Sequence, residues 1–117
     1  MTYWFSDLYA SIDAMRLDDF AAGLAPDVKV VFGNNPPLTG RQAAKDGVGH
    51  FFSTIDGIRH HVLNVAEING LTFLEANVEY LRKDGKTVTV PSVSILERDK
   101  GLVTALRIYV DVAPVYA

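Results

Sequence analysis

Three long apolar stretches fill the last third of the chain, at residues 71–82, 87–98 and 102–112. Each stretch alternates apolar and polar residues or is nearly continuously apolar, as strands of a partly buried sheet do. Turn signals separate the stretches, Asp-Gly at residues 84–85 and Asp-Lys-Gly at residues 99–101. Strands of this length in so small a chain must twist and curve. The pattern therefore predicts a curved sheet that encloses a cavity on the side covered by helices.

Helical spacing marks the N-terminal part of the chain instead. The apolar stripe of the first predicted helix consists of Trp4, Phe5, Leu8, Ile12 and Met15. These positions lie on one face of a helix that runs to about residue 15, with Thr2 or Ser6 as its expected N-cap. A second short helix is predicted over residues 17–24, and Pro26 is expected to stop it.

The middle of the chain alternates between strands and one further helix. A short strand (28–32) and a loop rich in Pro and Gly (33–40) precede a third helix that ends at Asp56-Gly57. A strand follows over residues 58–68, and Asn69-Gly70 is a strong hairpin signal. Helices that precede a run of hairpin-connected strands favour an α+β fold with a mostly antiparallel sheet.

The composition of the chain excludes some kinds of binding site and argues against some classes of protein. The 117 residues suit a single domain spanning 1–117. Without cysteine the chain has no disulfide or thiolate metal site, and a net charge of −3 without a basic cluster argues against nucleic-acid binding. No signal peptide and no apolar run of about 20 residues is visible. These features predict a cytoplasmic protein that does not bind membranes.

Local motifs along nearly the whole chain resemble those of SnoaL-like proteins of the nuclear transport factor 2-like superfamily. The motifs are Trp4-Phe5, Leu17-Asp18, Ala25-Pro26-Asp27-Val28-Lys29-Val30, Gly57-Ile58-Arg59-His60-His61, Asn64-Val65, Tyr80-Leu81-Arg82-Lys83-Asp84-Gly85 and Arg107-Ile108-Tyr109-Val110-Asp111. The resemblance implies a cone-shaped, cystatin-like α+β fold, with three helices and a strongly curved, mostly antiparallel sheet. The superfamily includes ketosteroid isomerases, epoxide hydrolases, polyketide cyclases, scytalone dehydratase and non-enzymatic binders, so the fold alone assigns no activity.

The ketosteroid isomerase chemistry fits this sequence poorly. The resemblance places its carboxylate base within residues 31–34, which contain no acid, and its tyrosine near Leu8, one position from Tyr9. It places the protonated acid that holds the enolate oxygen near Val93. At least two of the three groups are therefore missing.

The other chemistries place different demands on the same strands. The epoxide hydrolase pattern puts an Arg and an Asp at Asn77 and Glu79 and a second Asp at Ile108, so one group of three is retained. A SnoaL-type cyclase needs only one titratable group in an apolar pocket. Glu79 and one of His60 and His61 meet that requirement.

The face on which Glu79 lies decides its role. Glu75, Asn77 and Glu79 share one face of a predicted strand because side chains alternate. That face either lines the cavity or faces solvent, and periodicity alone favours solvent. The leading hypothesis places Asn77 and Glu79 in the cavity. His60 and His61 are neighbours on a strand, so at most one of them can enter the cavity and a shared metal site is not expected.

These observations predict a small apolar-ligand protein, a cofactor-independent acid–base enzyme resembling a polyketide cyclase, isomerase or dehydratase. A non-catalytic binding or accessory protein of the same fold is the alternative. The predicted catalytic residues are Glu79, His61 and His60, and the predicted substrate contacts are Trp4, Leu8, Phe32, Phe52, Asn77, Val93 and Ile108. Apolar residues on both faces of the late strands also predict a homodimer packed through the outer face of the sheet.

Overall fold

The structure, a computed structural model, describes residues 3–117 and is of the α+β class. Within these residues the helices are α1 (Ser6–Asp13), α2 (Leu17–Ala22), α3 (Arg41–Phe52) and α4 (Ala113–Tyr116). The strands are β1 (Leu24–Phe32), β2 (Leu38–Thr39), β3 (Gly57–Ile68), β4 (Leu71–Leu81), β5 (Thr87–Asp99) and β6 (Leu102–Val110). Thr2, one of the two expected caps of the first helix, lies outside the described residues.

The strands form one sheet in the order β2-β1-β6-β5-β4-β3. The pair β1 and β6 is parallel, and the other neighbouring pairs are antiparallel. Strands β3 to β6 follow one another as hairpins, as the sequence predicts. The α+β class and the mostly antiparallel sheet are therefore confirmed.

The hairpin turns follow the residues that mark them in the sequence. Asn69 and Gly70 have φ angles of 54° and 79°, and Lys100 and Gly101 have φ angles of 52° and 81°. Two consecutive residues with positive φ match the twist of the flanking strands, and Gly adopts this conformation without a steric cost. These turns fix the register of the long strands.

Three local predictions differ from the structure. Helix α2 already ends at Ala22, and Pro26 lies inside β1, where the pairing with β6 shifts register between Leu24 and Lys29. Pro has no N–H to donate, so it is tolerated at such an irregularity. The predicted loop at 33–40 contains the short strand β2, and α4 follows the last strand without a clear sequence signal.

The inner face of β4 is the floor of the core. Leu74, Ala76, Val78 and Tyr80 are each no more than 2% exposed. They pack in one apolar cluster with side chains of α1 and of the segment just before it, among them Phe5. Burial of these apolar side chains is the main stabilising contribution to the fold. Because side chains alternate, the odd-numbered residues of β4 point to the other side of the sheet.

A glycine allows helix α3 to approach the start of the cavity closely. A Cβ atom added at Gly47 would collide with the side chain of Leu38 on β2. The cost of glycine in a helix, roughly 1 kcal/mol relative to Ala, is therefore offset by this packing. Leu38 and the preceding loop are also among the parts of the chain that line the cavity.

Candidate functional site

A cavity of about 700 Å³ lies between the helices and the inner face of the sheet. Its wall is mostly apolar and aromatic, with Phe32, Phe51, Phe52, Ile58, Tyr80 and Ile108 among the lining residues. Phe51 packs at 4.9 Å from Phe32 and edge-on at 5.9 Å from Tyr80, measured between ring centroids. A cavity of this size and character suits a small, largely apolar molecule.

Of the two histidines predicted to be catalytic, only His60 lines this cavity, and it is paired with a carboxylate that sequence reasoning missed. The Nδ1 atom of His60 lies 2.6 Å from Oδ1 of Asp13, at the end of α1. The backbone N–H of His60 donates to Oδ2 of the same carboxylate over 3.1 Å. The His60 side chain is 11% exposed and that of Asp13 is 29% exposed. The two bonds fix the imidazole to α1 while the ring lines the cavity.

The second ring nitrogen of His60 remains available. Among residues 3–117, no hydrogen bond to Nε2 of His60 is formed, and the ring packs edge-on against Tyr9 at 4.9 Å. If Nδ1 carries the proton and donates it to Asp13, then Nε2 has a free lone pair. This arrangement can accept a proton from a molecule in the cavity.

Tyr9 of α1 brings a buried phenol to the site. Burial raises the pKa of the Tyr9 phenol to about 12, an effect that the neighbouring Ser94 hydroxyl partly offsets and the Asp13 charge increases. The Tyr9 hydroxyl nevertheless forms no hydrogen bond of ordinary geometry within the described residues. Burial also raises the pKa of Tyr80. Both phenols are thus neutral hydrogen-bond donors at physiological pH.

The prediction that Glu79 and Asn77 face the cavity is wrong. The even-numbered residues of β4 line the core, so both side chains point to the outer face. His61 lies on the same face, with Nε2 at 3.1 Å from Oε1 of Glu79. Their side chains are 47% and 41% exposed, so this is a solvated surface pair and not a buried acid–base group.

The structure divides the predicted substrate contacts into two groups. Phe32, Phe52 and Ile108 line the cavity, so their role in binding stays a prediction that the geometry permits. The remaining ones are placed elsewhere. Val93 is 37% exposed on the outer face, whereas Leu8 is buried in the core beside α2 and is not part of the cavity wall.

Trp4 also lies away from the cavity. Its indole Nε1–H donates to Oγ1 of Thr72 over 3.0 Å, and the guanidinium of Arg98 stacks 4.4 Å from the ring centroid. These contacts fasten the segment before α1 to the far ends of β4 and β5. The predicted substrate contact of Trp4 is therefore wrong, and its role is to position α1.

Polar groups reach the cavity again near its opening. Asn35 of the loop after β1 and His50 of α3 are among the lining residues. The Tyr116 hydroxyl of α4 lies 2.7 Å from Oγ1 of Thr54, which joins the C-terminal segment to the residues after α3. Val115 of α4 is 3% exposed and anchors that segment.

The sequence contains only a weak indication that Tyr9 and Asp13 belong to the site. Tyr9 and Asp13 are four residues apart, so they share one helical face. Asp13 and His60 are 47 positions apart, and no local pattern indicates their contact.

Within residues 3–117 no cluster of three or more His, Asp or Glu side chains is arranged to hold a metal ion. No helix of that part of the chain is long and apolar enough to cross a membrane.

Comparisons with known proteins agree with this architecture. An NTF2-like protein of unknown function from Burkholderia pseudomallei has a TM-score of 0.84 at 16% identity, with 95% of this chain and 90% of that chain covered. TerC, co-crystallized with polyporic acid, has a TM-score of 0.82 at 18% identity (97% and 92% covered). A LEH-like epoxide hydrolase of M. tuberculosis has a TM-score of 0.79 at 14% identity (97% and 84% covered).

These identities are low, so the similar structures show the NTF2-like fold alone. A comparison with curated proteins gives no match. The family profile of the SnoaL-like domain, in contrast, matches residues 5–106, which include α1, most of the residues that line the cavity and most of the sheet. The chain therefore belongs to the SnoaL-like domain family.

Proposed function

We propose that this chain is an acid–base enzyme that moves a proton on a small, largely apolar molecule, with Nε2 of His60 as the proton acceptor. The observation that carries the proposal is the His60–Asp13 pair at the cavity wall. A histidine oriented by a carboxylate in a water-poor site is a recurring general base. Glu79 and His61, which lie on the outer face, have no part in it.

Asp13 acts as a positioning residue. By accepting from Nδ1 it selects the tautomer whose lone pair is on Nε2, and by accepting from the backbone N–H of His60 it holds its own carboxylate in place. When Nε2 takes a proton, the imidazolium is stabilised by the same carboxylate. The proton can then return to a different atom of the bound molecule.

This chemistry fits isomerases, cyclases and dehydratase-like lyases, which all remove a proton beside an electron-withdrawing group. The aromatic and aliphatic wall suits polyketide-, steroid- or terpenoid-like skeletons. The structural similarity to an epoxide hydrolase and to TerC supports a role in small-molecule chemistry. The proposed steps use only protein side chains and call for no cofactor.

Exchange of solvent deuterium tests proton abstraction without knowledge of the natural substrate. The protein is incubated in D₂O with a panel of cyclic ketones that includes 1-tetralone, and mass spectrometry follows deuterium uptake beside the carbonyl. We expect uptake by the wild-type protein above the buffer rate and its loss in His60→Gln. His61→Gln, the same change on the outer face, serves as the matched control and should keep the wild-type rate.

A binding protein without catalysis would give a different result. It would bind members of the panel but leave deuterium uptake at the buffer rate in all three proteins. Exchange that is equally fast in His60→Gln and wild type would contradict the role of His60. The two results separate the enzyme from the binding or accessory protein of the same fold.

We also propose that a second copy of the chain covers the outer face of the sheet. Leu63, Val93 and Tyr109 surround a shallow depression there and are 53%, 37% and 59% exposed. Large apolar side chains grouped on a sheet face favour an interface. A stable homodimer of this type would bury about 1,600 Å² or more in total.

A further inference from the structure

The inner wall of the cavity carries two hydroxyl groups that have no hydrogen-bond partner among residues 3–117. The Tyr9 hydroxyl and Oγ of Ser92 are both buried without a hydrogen bond to any described residue. Tyr9 is 7% exposed and Ser92 is 5% exposed. Buried polar groups nearly always form hydrogen bonds, so two unsatisfied hydroxyl groups on one cavity wall suggest that a ligand supplies the missing partner.

The two orphans belong to a small polar cluster. Ser92 and Ser94 alternate on β5, so both side chains point to the inner face, roughly 7 Å apart along the strand. Ser94 is 2% exposed and lies beside the Tyr9 hydroxyl. Both serines line the cavity together with Tyr9. We call Tyr9, Ser92 and Ser94 the hydroxyl cluster.

Apolar residues surround the hydroxyl cluster on the sheet. Ser92 pairs with Ala76 of β4, and Ser94 pairs with Leu74 of β4 and Ile108 of β6. Ser92 buries less apolar surface than Val would at this position, and it adds an unsatisfied polar atom. Its presence is explained if a polar atom of a bound molecule completes its hydrogen bonds.

The chemistry of the cluster restricts that atom. Hydroxyl groups donate to a neutral oxygen, and no Lys or Arg is found among the described residues that line the cavity. An anion buried there could be compensated only by His50 or His60, and His60 already faces the carboxylate of Asp13. A carbonyl oxygen on an otherwise apolar skeleton needs only donors, which the cluster supplies.

We propose that the hydroxyl cluster is a recognition subsite that binds the carbonyl oxygen of a neutral, largely apolar ligand. The inference rests on the proposed function, because it names the substrate class of the same cavity. The carbonyl lies against β5 and the skeleton packs on the aromatic wall. Entry of the oxygen requires only rotation of hydroxyl groups or of the serine side chains.

Binding of two matched probes tests this subsite. 1-Tetralone and tetralin share a ring system and differ by one carbonyl, and NMR titration gives the dissociation constant of each. In Ser92→Ala, Ser94→Ala and Tyr9→Phe we expect the preference for 1-tetralone over tetralin to fall roughly three- to tenfold, the equivalent of one neutral hydrogen bond. Thr89→Ala removes a hydroxyl from the outer side of the same strand and should keep the wild-type preference.

Thermal unfolding of the unliganded variants adds a second readout. Since Ser92→Ala removes an orphan, its Tm should equal or exceed that of the wild-type protein, whereas a hydroxyl with a structural role would lower it. An unchanged preference in all three variants would overturn the subsite, as would an equal change in Thr89→Ala or no binding of 1-tetralone to the wild-type protein. None of these results depends on turnover, so the deuterium exchange of His60→Gln tests the proposed function separately.

Discussion

Replacement of Asp13 by Asn tests the pair on which the proposed acid–base function depends. The change keeps the size of the side chain and removes its charge. In the structure, both oxygens of the carboxylate accept hydrogen bonds from His60, one from Nδ1 at 2.6 Å and one from the backbone N–H at 3.1 Å. An amide has one acceptor oxygen and one NH2 group, so it can accept from the backbone N–H and donate to Nδ1, but it carries no charge.

The magnitude follows from this geometry. A hydrogen bond to a charged group contributes about 1.5–3 kcal/mol, and a neutral one contributes about 1 kcal/mol. The Asp13→Asn variant would therefore replace two hydrogen bonds to a charged group with two weaker, neutral ones, at a loss of about 1 kcal/mol each. We therefore expect the free energy of unfolding to fall by about 2 kcal/mol, and at about 4 °C per kcal/mol the Tm to fall by about 8 °C.

Chemical and thermal unfolding measure this loss, and NMR of the imidazole nitrogens adds the tautomer. The Asn amide can donate to Nδ1, so Asp13→Asn should shift the proton of neutral His60 from Nδ1 to Nε2. Glu79→Gln makes the same chemical change opposite His61, where both side chains are exposed, so it should cost less than about 0.5 kcal/mol.

Equal costs for these two variants would refute the reasoning, because the burial of the pair would then have no effect. A cost below about 0.5 kcal/mol for Asp13→Asn would refute it as well. An unchanged tautomer of His60 would show that Asp13 does not orient the ring. In that case the proposed positioning role would fail even if stability fell.

Three further changes give measurable outcomes. Above pH 10 the Tyr9 phenol of the unfolded protein loses its proton, whereas the folded protein keeps this proton up to about pH 12. The free energy of unfolding should therefore fall by up to about 3 kcal/mol between these pH values. Urea unfolding at several pH values measures this loss, which should be smaller in Tyr9→Phe. Gly47→Ala should lower the Tm despite better helix propensity, because the added methyl group collides with Leu38 and overpacking costs about 1–3 kcal/mol. Val93→Glu should yield a monomer in light scattering if the outer face forms the homodimer, and an unchanged mass would contradict that interface.

The fold was predictable because its signals are local. Turn residues such as Asn69-Gly70 require positive φ angles, and they divide the alternating pattern into hairpins wherever they occur. The order of helices and strands then leaves few arrangements. The short elements β2 and α4 were missed because residues 33–40 contain strong breakers and α4 is only a single turn.

The site was only partly predictable, and the face of β4 shows why. Alternation groups Glu75, Asn77 and Glu79 on one face but does not state which face is buried. The opposite face has Leu74, Ala76 and Val78 at its centre and is the one that the helices cover. A register shift of one residue exchanges the two faces, so placement by resemblance put Glu79 in the cavity although periodicity favoured solvent.

The position of Asp13 helps to explain how a histidine–carboxylate pair is stable at an apolar wall. A carboxylate at the C-terminal end of a helix meets the negative end of the helix dipole, whereas a cation is favoured there. Asp13 is compensated by the two donors of His60 that it faces. These contacts hold the Asp13 carboxylate within hydrogen-bond distance of the imidazole. The hydrogen bond between Asp13 and His60, which stabilises the fold, would therefore also stabilise the intermediate that forms when His60 takes a proton from a bound molecule.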